Sequence, residues 1–131
     1  EPFRHFEVGQ PRGGRRLVVE RMPYPEELYL TINASEGTYQ LLAQLPELGL
    51  TPSVEVIAAA SYTNYVIANG LIVLPQYYKP GRPQRFADAD AQAVATMRRL
   101  FPGYEVKGVN PEPVNFGGGG LNCISNNMPA A

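Results

Sequence analysis

The only cysteine of the 131-residue sequence, Cys123, closely follows the four consecutive glycines of residues 117–120. A thiol becomes a nucleophile when neighbouring groups stabilise its thiolate form. Glycine loses more conformational freedom on folding than any other residue, so four in a row indicate a backbone beside which side chains are not tolerated. A backbone that runs against a ligand and presents a thiol to it is one such place. Cys123 is therefore the first candidate for chemistry.

Simpler explanations exist for both features. A lone cysteine is more often a small buried apolar side chain than a nucleophile. The glycine run could be a flexible tail or a phosphate cradle, but the Lys-Ser/Thr pair that a P-loop requires does not follow it. Cys123 and the only histidine, His5, do not make a credible zinc site. We therefore expect no metal and no cofactor.

Composition sets mild limits on the class of protein. A length of 131 residues suits a single domain, residues 1–131, that buries its own core. A net charge of -1 gives no electrostatic reason to expect nucleic acid or an anionic membrane as a partner. No apolar run approaches the roughly 20 residues that cross a bilayer. One cysteine cannot form an internal disulfide, which is typical of a reducing, cytoplasmic setting.

Residues 54–131 carry the clearest secondary-structure pattern. Alternating apolar residues predict strands at Val54–Ile57, Tyr62–Ala68, Leu71–Pro75 and Glu105–Val109. Asn69-Gly70 predicts a two-residue hairpin turn. A helix is predicted from a cap at Asp88 to about Leu100, with Val94, Met97 and Phe101 on one face. The order hairpin, helix, strand and glycine loop predicts an α/β fold with mixed sheets, built on a ββαβ unit that carries Cys123 at its exit.

Residues 1–53 are less regular. Leu17–Met22 is predicted to be a strand that ends at Pro23 and Pro25, and Glu26–Ile32 is predicted to be a short strand. Tyr39–Leu48 has helix-like leucine spacing that Pro46 interrupts. A solvated turn is favoured over an anion clamp for the arginines near the start of the sequence, Arg4, Arg12, Arg15 and Arg16.

Other polar and aromatic residues have structural interpretations. The Tyr77-Tyr78 pair, Arg82 and Arg85 are predicted to pack in a loop rather than to bind a ligand. Asp88 and Asp90 are interpreted as charges near a helix N-terminus.

Four segments in a fixed order resemble one known family. They are Ala60–Gly70, Val73-Leu74-Pro75, Leu100–Val106 and Gly117–Ser125, with a weaker match at Leu17–Pro25. These segments are similar to the C-terminal part of agmatine deiminases and bacterial peptidylarginine deiminases. The resemblance implies a pentein, an α/β propeller of ββαβ blades, of which this chain would form about two. It covers about the last third of a full-length member, so the remainder would precede residue 1.

The resemblance also implies a reaction. The cysteine at the position of Cys123 attacks a guanidinium carbon, ammonia leaves, and water releases a ureido product. Asn64 would contribute to the active site, and substrate-binding positions would be Gly117, Gly118, Gly119, Gly120 and Asn122. The substrate would be a small guanidinium compound or an arginine side chain: agmatine, free arginine or peptidyl arginine. Agmatine would connect the protein to putrescine biosynthesis.

The sequence departs from the family pattern at two points. The general base of the family is a histidine in a Gly-His-x-Asp motif, which is absent here; His5 lacks the preceding glycine and is interpreted as a surface residue. Asn122 stands where the family commonly has histidine. We therefore expect this chain to be inactive in isolation. The alternative is a non-catalytic protein, derived from a deiminase fragment, that forms homo-oligomers or binds a partner.

Overall fold

Two small β-sheets and one long helix form the part of the chain that the structure, a computed structural model, describes: residues 18–128. The strands are β1 (Tyr29–Asn33), β2 (Ser53–Ile57), β3 (Val66–Ala68), β4 (Leu71–Pro75) and β5 (Glu105–Val109). The helices are α1 (Gly37–Leu42), α2 (Gln84–Leu100) and α3 (Glu112–Asn115), with a 3₁₀ turn at Pro46–Leu48. One sheet is β1-β2 and the other is β3-β4-β5. The predicted mixed-sheet α/β class is confirmed.

The hairpin between β3 and β4 follows the Asn-Gly signal. Asn69 has φ 39° and Gly70 has φ 84°, so both lie in the left-handed region that a type I′ turn requires. The strands pair antiparallel, with Ala68 opposite Leu71. β3 is shorter than predicted because Tyr62 and Thr63 lie in a turn, where Tyr62 is 1% exposed and belongs to the core.

Helix α2 connects β4 to β5, which pair in parallel as a ββαβ unit requires. Its buried face consists of Phe86, Asp90, Ala93 and Met97. The apolar members of this face join Ile72 and Leu74 of β4 in the main core. Val94 and Phe101 are partly buried against the same core. The predicted helix, its apolar face and the strand that follows are confirmed.

The predicted start of α2 is wrong. The helix begins at Gln84, directly after Pro83, and Asp88 lies inside it rather than at its cap. The Asp88 carboxylate accepts a hydrogen bond from Gln84 Nε2 at 3.1 Å, a contact within the helix. Proline is tolerated at a helix start because no intrahelical hydrogen bond needs its missing N–H. Pro83 is therefore a better signal for the start of α2 than Asp88.

The first predicted strand is also wrong over its described part, residues 18–22, which have no regular structure. Val18 and Val19 are 78% and 68% exposed, and β-propensity forms a strand only where a neighbouring strand pairs with it. The strand predicted at Glu26–Ile32 corresponds to β1, which begins later, at Tyr29. β1 pairs antiparallel with β2, a strand that was predicted as part of residues 54–131. The predictions for residues 1–17, including His5 and the four arginines, lie outside the described residues.

Helix α1 and the 3₁₀ turn at Pro46–Leu48 occupy the region of helix-like leucine spacing. The helix stops at Leu42, so it is short, as Pro46 indicated. None of the helices within residues 18–128 combines the length and apolar composition that crossing a membrane requires.

Candidate active site at the glycine loop

The structure brings Asn64 and Cys123 together although they are 59 positions apart. Asn64 lies just before β3, and Cys123 lies in a turn that follows α3 and the glycine run. The Asn64 Nδ2 group donates a hydrogen bond to Cys123 Sγ over 3.3 Å. Cys123 is exposed, so the interpretation of this cysteine as a buried apolar side chain does not hold.

The backbone of Asn122 fixes the orientation of the Asn64 amide. The Asn122 N–H donates to Asn64 Oδ1 at 2.6 Å. Because a backbone N–H can only donate, the amide oxygen must face Asn122, and the NH₂ group then faces the thiol. The turn itself is stabilised by Ser125, whose N–H and hydroxyl both donate to the Asn122 carbonyl, at 3.1 and 2.9 Å.

The hydrogen bonds around Cys123 favour its ionised form. The Asn64 side chain contributes most to lowering the pKa of the Cys123 thiol, followed by the backbone N–H of Gly120; slight desolvation opposes them, and the N–H of Cys123 adds a smaller lowering effect. A thiolate is the nucleophilic form of cysteine. Amide donors therefore make this thiol more acidic.

Two glycines of the run are required for reasons of geometry. A Cβ atom on Gly120 would lie 2.5 Å from Asn64 Cγ, closer than any side chain could approach. Gly118 has φ 82°, in the left-handed region that other residues rarely adopt. The close approach that the glycine run permits is thus an internal one, between the loop backbone and the Asn64 amide.

Sequence reasoning missed Asn115, the last residue of α3, which is 2% exposed. Its Nδ2 group donates to the carbonyls of Gly119 and Ala59, at 2.7 and 3.1 Å. Its Oδ1 atom is buried and has no hydrogen-bond partner among residues 18–128. The only signal in the sequence was a polar residue shortly before the glycines.

Glu112, a buried residue of α3, is the centre of an ionic cluster. Its carboxylate pairs with Lys79 Nζ at 2.9 Å and with both terminal nitrogens of Arg82, and it accepts from Asn110 Nδ2 at 2.8 Å. Burial raises the pKa of Glu112, but the bonds from Arg82, Asn110 and Lys79 outweigh it and lower the pKa to about 2. Arg82, predicted to pack at a rim or in a loop, thus binds a buried carboxylate of α3.

The interpretation of Asp90 as a charge near a helix N-terminus is also wrong, because α2 begins at Gln84 and has no acidic residue in its first turn. Asp90 is 5% exposed and accepts bonds from the Tyr62 hydroxyl at 2.6 Å and from the N–H groups of Tyr77 and Tyr78 at 3.0 and 2.8 Å. Burial, reinforced by the bond to Asp90, raises the pKa of Tyr62. Burial also raises the pKa of Tyr77 to about 12. Asp90 thus connects α2 to the chain on both sides of the β3–β4 hairpin.

The other residues singled out in the 77–85 segment differ in their burial. Tyr78 has an exposed ring, and Arg85 pairs with Glu26 at 2.7 Å on the surface. Tyr77 lies in the core, where its ring meets that of Tyr62 edge-on at a centroid distance of 5.5 Å.

A cavity of about 360 Å³ lies beside the Asn64–Asn122 contact. Its lining residues are Thr63, Tyr65, Val66, Ile67, Asn122 and Asn127, none of which is charged. The volume falls in the range of small-molecule sites. No group of three or more His, Cys, Asp or Glu side chains in residues 18–128 is arranged to hold a metal ion.

Comparison with known proteins relates this geometry to a family. Residues 9–129 match the family model described as Porphyromonas-type peptidyl-arginine deiminase. An agmatine deiminase of Pseudomonas aeruginosa is 35% identical over 128 residues, which are 98% of this chain and 31% of that protein. An agmatine deiminase of Pseudomonas putida is 34% identical over 117 residues, which are 89% of this chain and 28% of the relative.

One solved structure is similar to part of this chain. An X-ray structure of a proposed agmatine deiminase is 39% identical, with a TM-score of 0.48 over 57% of this chain and 18% of that one. The chain spans about 31% of the length of the curated relative from P. aeruginosa.

Proposed function

This chain belongs to the Porphyromonas-type peptidyl-arginine deiminase family, and we propose that it supplies the nucleophile of a guanidine deiminase. The observation that carries the proposal is the contact of 3.3 Å between Asn64 Nδ2 and the exposed Cys123 Sγ. An activated nucleophile needs a partner that favours its ionised form, and Asn64 is that partner here. The two small sheets would correspond to parts of two pentein blades.

The proposed reaction has two steps. The Cys123 thiolate attacks the guanidinium carbon, an Sγ–C bond forms, and a C–N bond breaks once the leaving nitrogen has taken up a proton to depart as ammonia. Water then adds to the same carbon, two protons are lost, and the Sγ–C bond breaks to give the neutral ureido product and regenerate the thiolate. Asn64 would keep the sulfur ionised before attack and receive it again after release.

Both steps need a general acid and base, and residues 18–128 contain no histidine. We propose that the base and the groups that hold the cation belong to the part of the relatives that this chain does not match. Catalytic groups that act as a unit lose nearly all rate when one is missing. The isolated chain is therefore expected to show no turnover.

A complementation assay tests this proposal. The purified chain is incubated with agmatine, free arginine or an arginine-containing peptide, alone and together with the preceding two-thirds of the P. aeruginosa relative, and ureido product is measured. We expect product only in the mixture, and none when the chain carries Cys123→Ala. Cys123-dependent product from the chain alone would contradict the predicted inactivity. Product from the mixture with Cys123→Ala would contradict the nucleophile.

The uncharged cavity beside Asn122 is proposed to receive the substrate portion next to the guanidinium. The same assay compares the three substrates, and agmatine turnover would favour a role in putrescine biosynthesis. A cytoplasmic location is part of the proposal, since the one cysteine is free and the proposed chemistry needs it reduced.

Exposed apolar side chains favour a second candidate function, self-association. Leu41, Leu45 and Leu48 are 64%, 46% and 47% exposed around α1 and the 3₁₀ turn. Sedimentation velocity tests this: the chain would sediment as a homo-oligomer, and Leu45→Glu would yield monomers, while Gln44→Glu, an exposed neighbour, would not. A chain that is monomeric at high concentration would rule this candidate out.

A further inference from the structure

We propose that Asn115 is a positioning residue, whose buried side-chain amide sets the separation between Asn64 and Cys123. The inference rests on the function proposed above, because it concerns the thiol that would act as nucleophile. It adds a residue that does not touch the sulfur and acts through two backbone carbonyls.

Asn115 joins three segments of the chain at one point. Its two side-chain N–H groups are divided between the Gly119 carbonyl, at 2.7 Å, and the Ala59 carbonyl, at 3.1 Å. Its own carbonyl accepts from the N–H groups of Ala59 and Gly118, at 3.3 and 3.0 Å. The end of α3, the glycine loop and the segment after β2 are thereby held together.

The two carbonyls belong to the two segments that form the candidate site, here called its arms: the glycine loop before Cys123 and the segment before Asn64. Gly119 directly precedes Gly120, whose N–H supports the Cys123 thiolate. Ala59 begins the segment that leads through Ser61 to Asn64, and Asn64 meets Gly120 so closely that a Cβ there would be only 2.5 Å from its Cγ. A contact this close depends on the position of both arms, and Asn115 is the side chain that binds both.

The oxygen of the Asn115 side chain, which has no hydrogen-bond partner in the described part of the chain, supports this interpretation. A buried polar atom without a hydrogen bond costs free energy, so an apolar side chain would be favoured if Asn115 only filled space. The chain instead has the residue whose NH₂ group can donate to two carbonyls at once. Asn115 therefore contributes through its two side-chain N–H donors, which fix the position of the glycine loop.

Thiol acidity tests the inference without any need for turnover. The rate at which iodoacetamide alkylates Cys123, the only cysteine, is measured against pH in the folded chain, and its midpoint gives the thiol pKa. Asn115→Asp replaces the NH₂ group with an oxygen of similar size that repels both carbonyls. We expect the midpoint to rise toward the free-thiol value of about 8.5, with a severalfold fall in the rate at pH 7.

Two controls separate positioning from general destabilisation. Ile72→Val removes one methyl group from the main core and should lower the melting temperature without moving the midpoint. In an Asn64→Ala background, Asn115→Asp should add no further shift, because its effect acts through Asn64.

The outcomes decide between the two proposals. Two results would overturn this inference alone. One is a low alkylation midpoint that stays unchanged in folded Asn115→Asp. The other is a midpoint shift caused by Asn115→Asp that is equally large in the Asn64→Ala background. A midpoint near the free-thiol value in the unsubstituted chain would overturn the proposed function as well. If Asn115→Asp does not fold, Asn115→Ser, which can reach at most one carbonyl, should give an intermediate shift. Failure of both variants to fold, when Ile72→Val folds, would assign Asn115 to the fold and overturn the inference.

Discussion

The two sheets of this chain differ in what covers them. The β3-β4-β5 sheet is packed against α2, and its central residues Ile72 and Leu74 are fully buried. The β1-β2 sheet buries Ile32, while its paired residues Tyr29 and Ile57 are 53% and 59% exposed. Burial of apolar surface is the main source of stability. The ββαβ unit should therefore carry most of the stability of the chain.

The candidate site adjoins the β3-β4-β5 region. Asn64 lies just before β3, and Cys123 follows α3 and the glycine run. The β1-β2 region contributes through the segment after β2, where the Ala59 carbonyl accepts a hydrogen bond from Asn115. Substitutions in the two regions therefore test whether the thiol is held mainly by the more buried one.

The largest effect is expected in the core of the ββαβ unit. Ile72→Ala should lower the free energy of unfolding by about 2–5 kcal/mol, because it leaves a cavity at a fully buried position. Val54→Ala in β2, where the side chain is only partly buried, should cost about 1 kcal/mol. Urea denaturation followed by circular dichroism measures both. Equal losses would contradict the comparison.

The ionic cluster predicts a pH dependence of stability. The pKa of Glu112 is lowered to about 2, so its stabilisation is fully present above about pH 4.5 and is lost as the pH falls through about 2. The shift corresponds to about 3 kcal/mol. Denaturation midpoints of the chain and of Glu112→Gln should therefore converge on acidification. A constant difference between the two from pH 6 to pH 2 would show that the carboxylate charge is not responsible.

The hairpin turn should have a smaller effect. Asn69→Ala places a residue with a Cβ and no compensating side-chain group at φ 39°, which should cost about 1 kcal/mol of stability. Asn126→Ala, at an exposed position outside the turn, serves as the control. Thermal melts of the two variants measure the difference. An unchanged melting temperature for Asn69→Ala would mean that the positive φ at position 69 does not disfavour alanine.

The smallest effect is expected at the exposed leucines of the other region. Leu41→Gln should change the unfolding free energy by no more than about 0.5 kcal/mol, because the side chain is 64% exposed. Measurement under dilute conditions keeps any self-association from adding stability. A loss of 2 kcal/mol or more, well above roughly the 0.5 kcal/mol of a surface substitution, would show that this leucine is covered.

Local patterns predicted the ββαβ unit well and tertiary contacts poorly. The Asn69-Gly70 turn and the strands beside it follow from sequence signals that act over a few residues. Asp90 was misjudged because its partners, the Tyr62 hydroxyl and the N–H groups of Tyr77 and Tyr78, come from distant segments. The strand predicted at Leu17–Met22 failed because pairing requires a neighbour, which propensity does not supply.

The candidate site was predicted in part for the same reason. The family resemblance indicated Asn64 and Cys123, which the structure brings together. It gave no sign of Asn115, because one asparagine before a glycine run has no distinctive spacing. Asn122 was expected to bind substrate, and the structure adds that its backbone N–H holds the Asn64 amide.

The central claim is that amide donors lower the pKa of the Cys123 thiol and so favour its reactive, ionised form. It is tested most directly by the pH dependence of Cys123 alkylation in the chain and in Asn64→Ala. We predict a midpoint below the roughly 8.5 of a free thiol, and a rise toward that value when the Asn64 amide is removed. A midpoint at or above the free-thiol value, or one that Asn64→Ala leaves unchanged, would contradict the account.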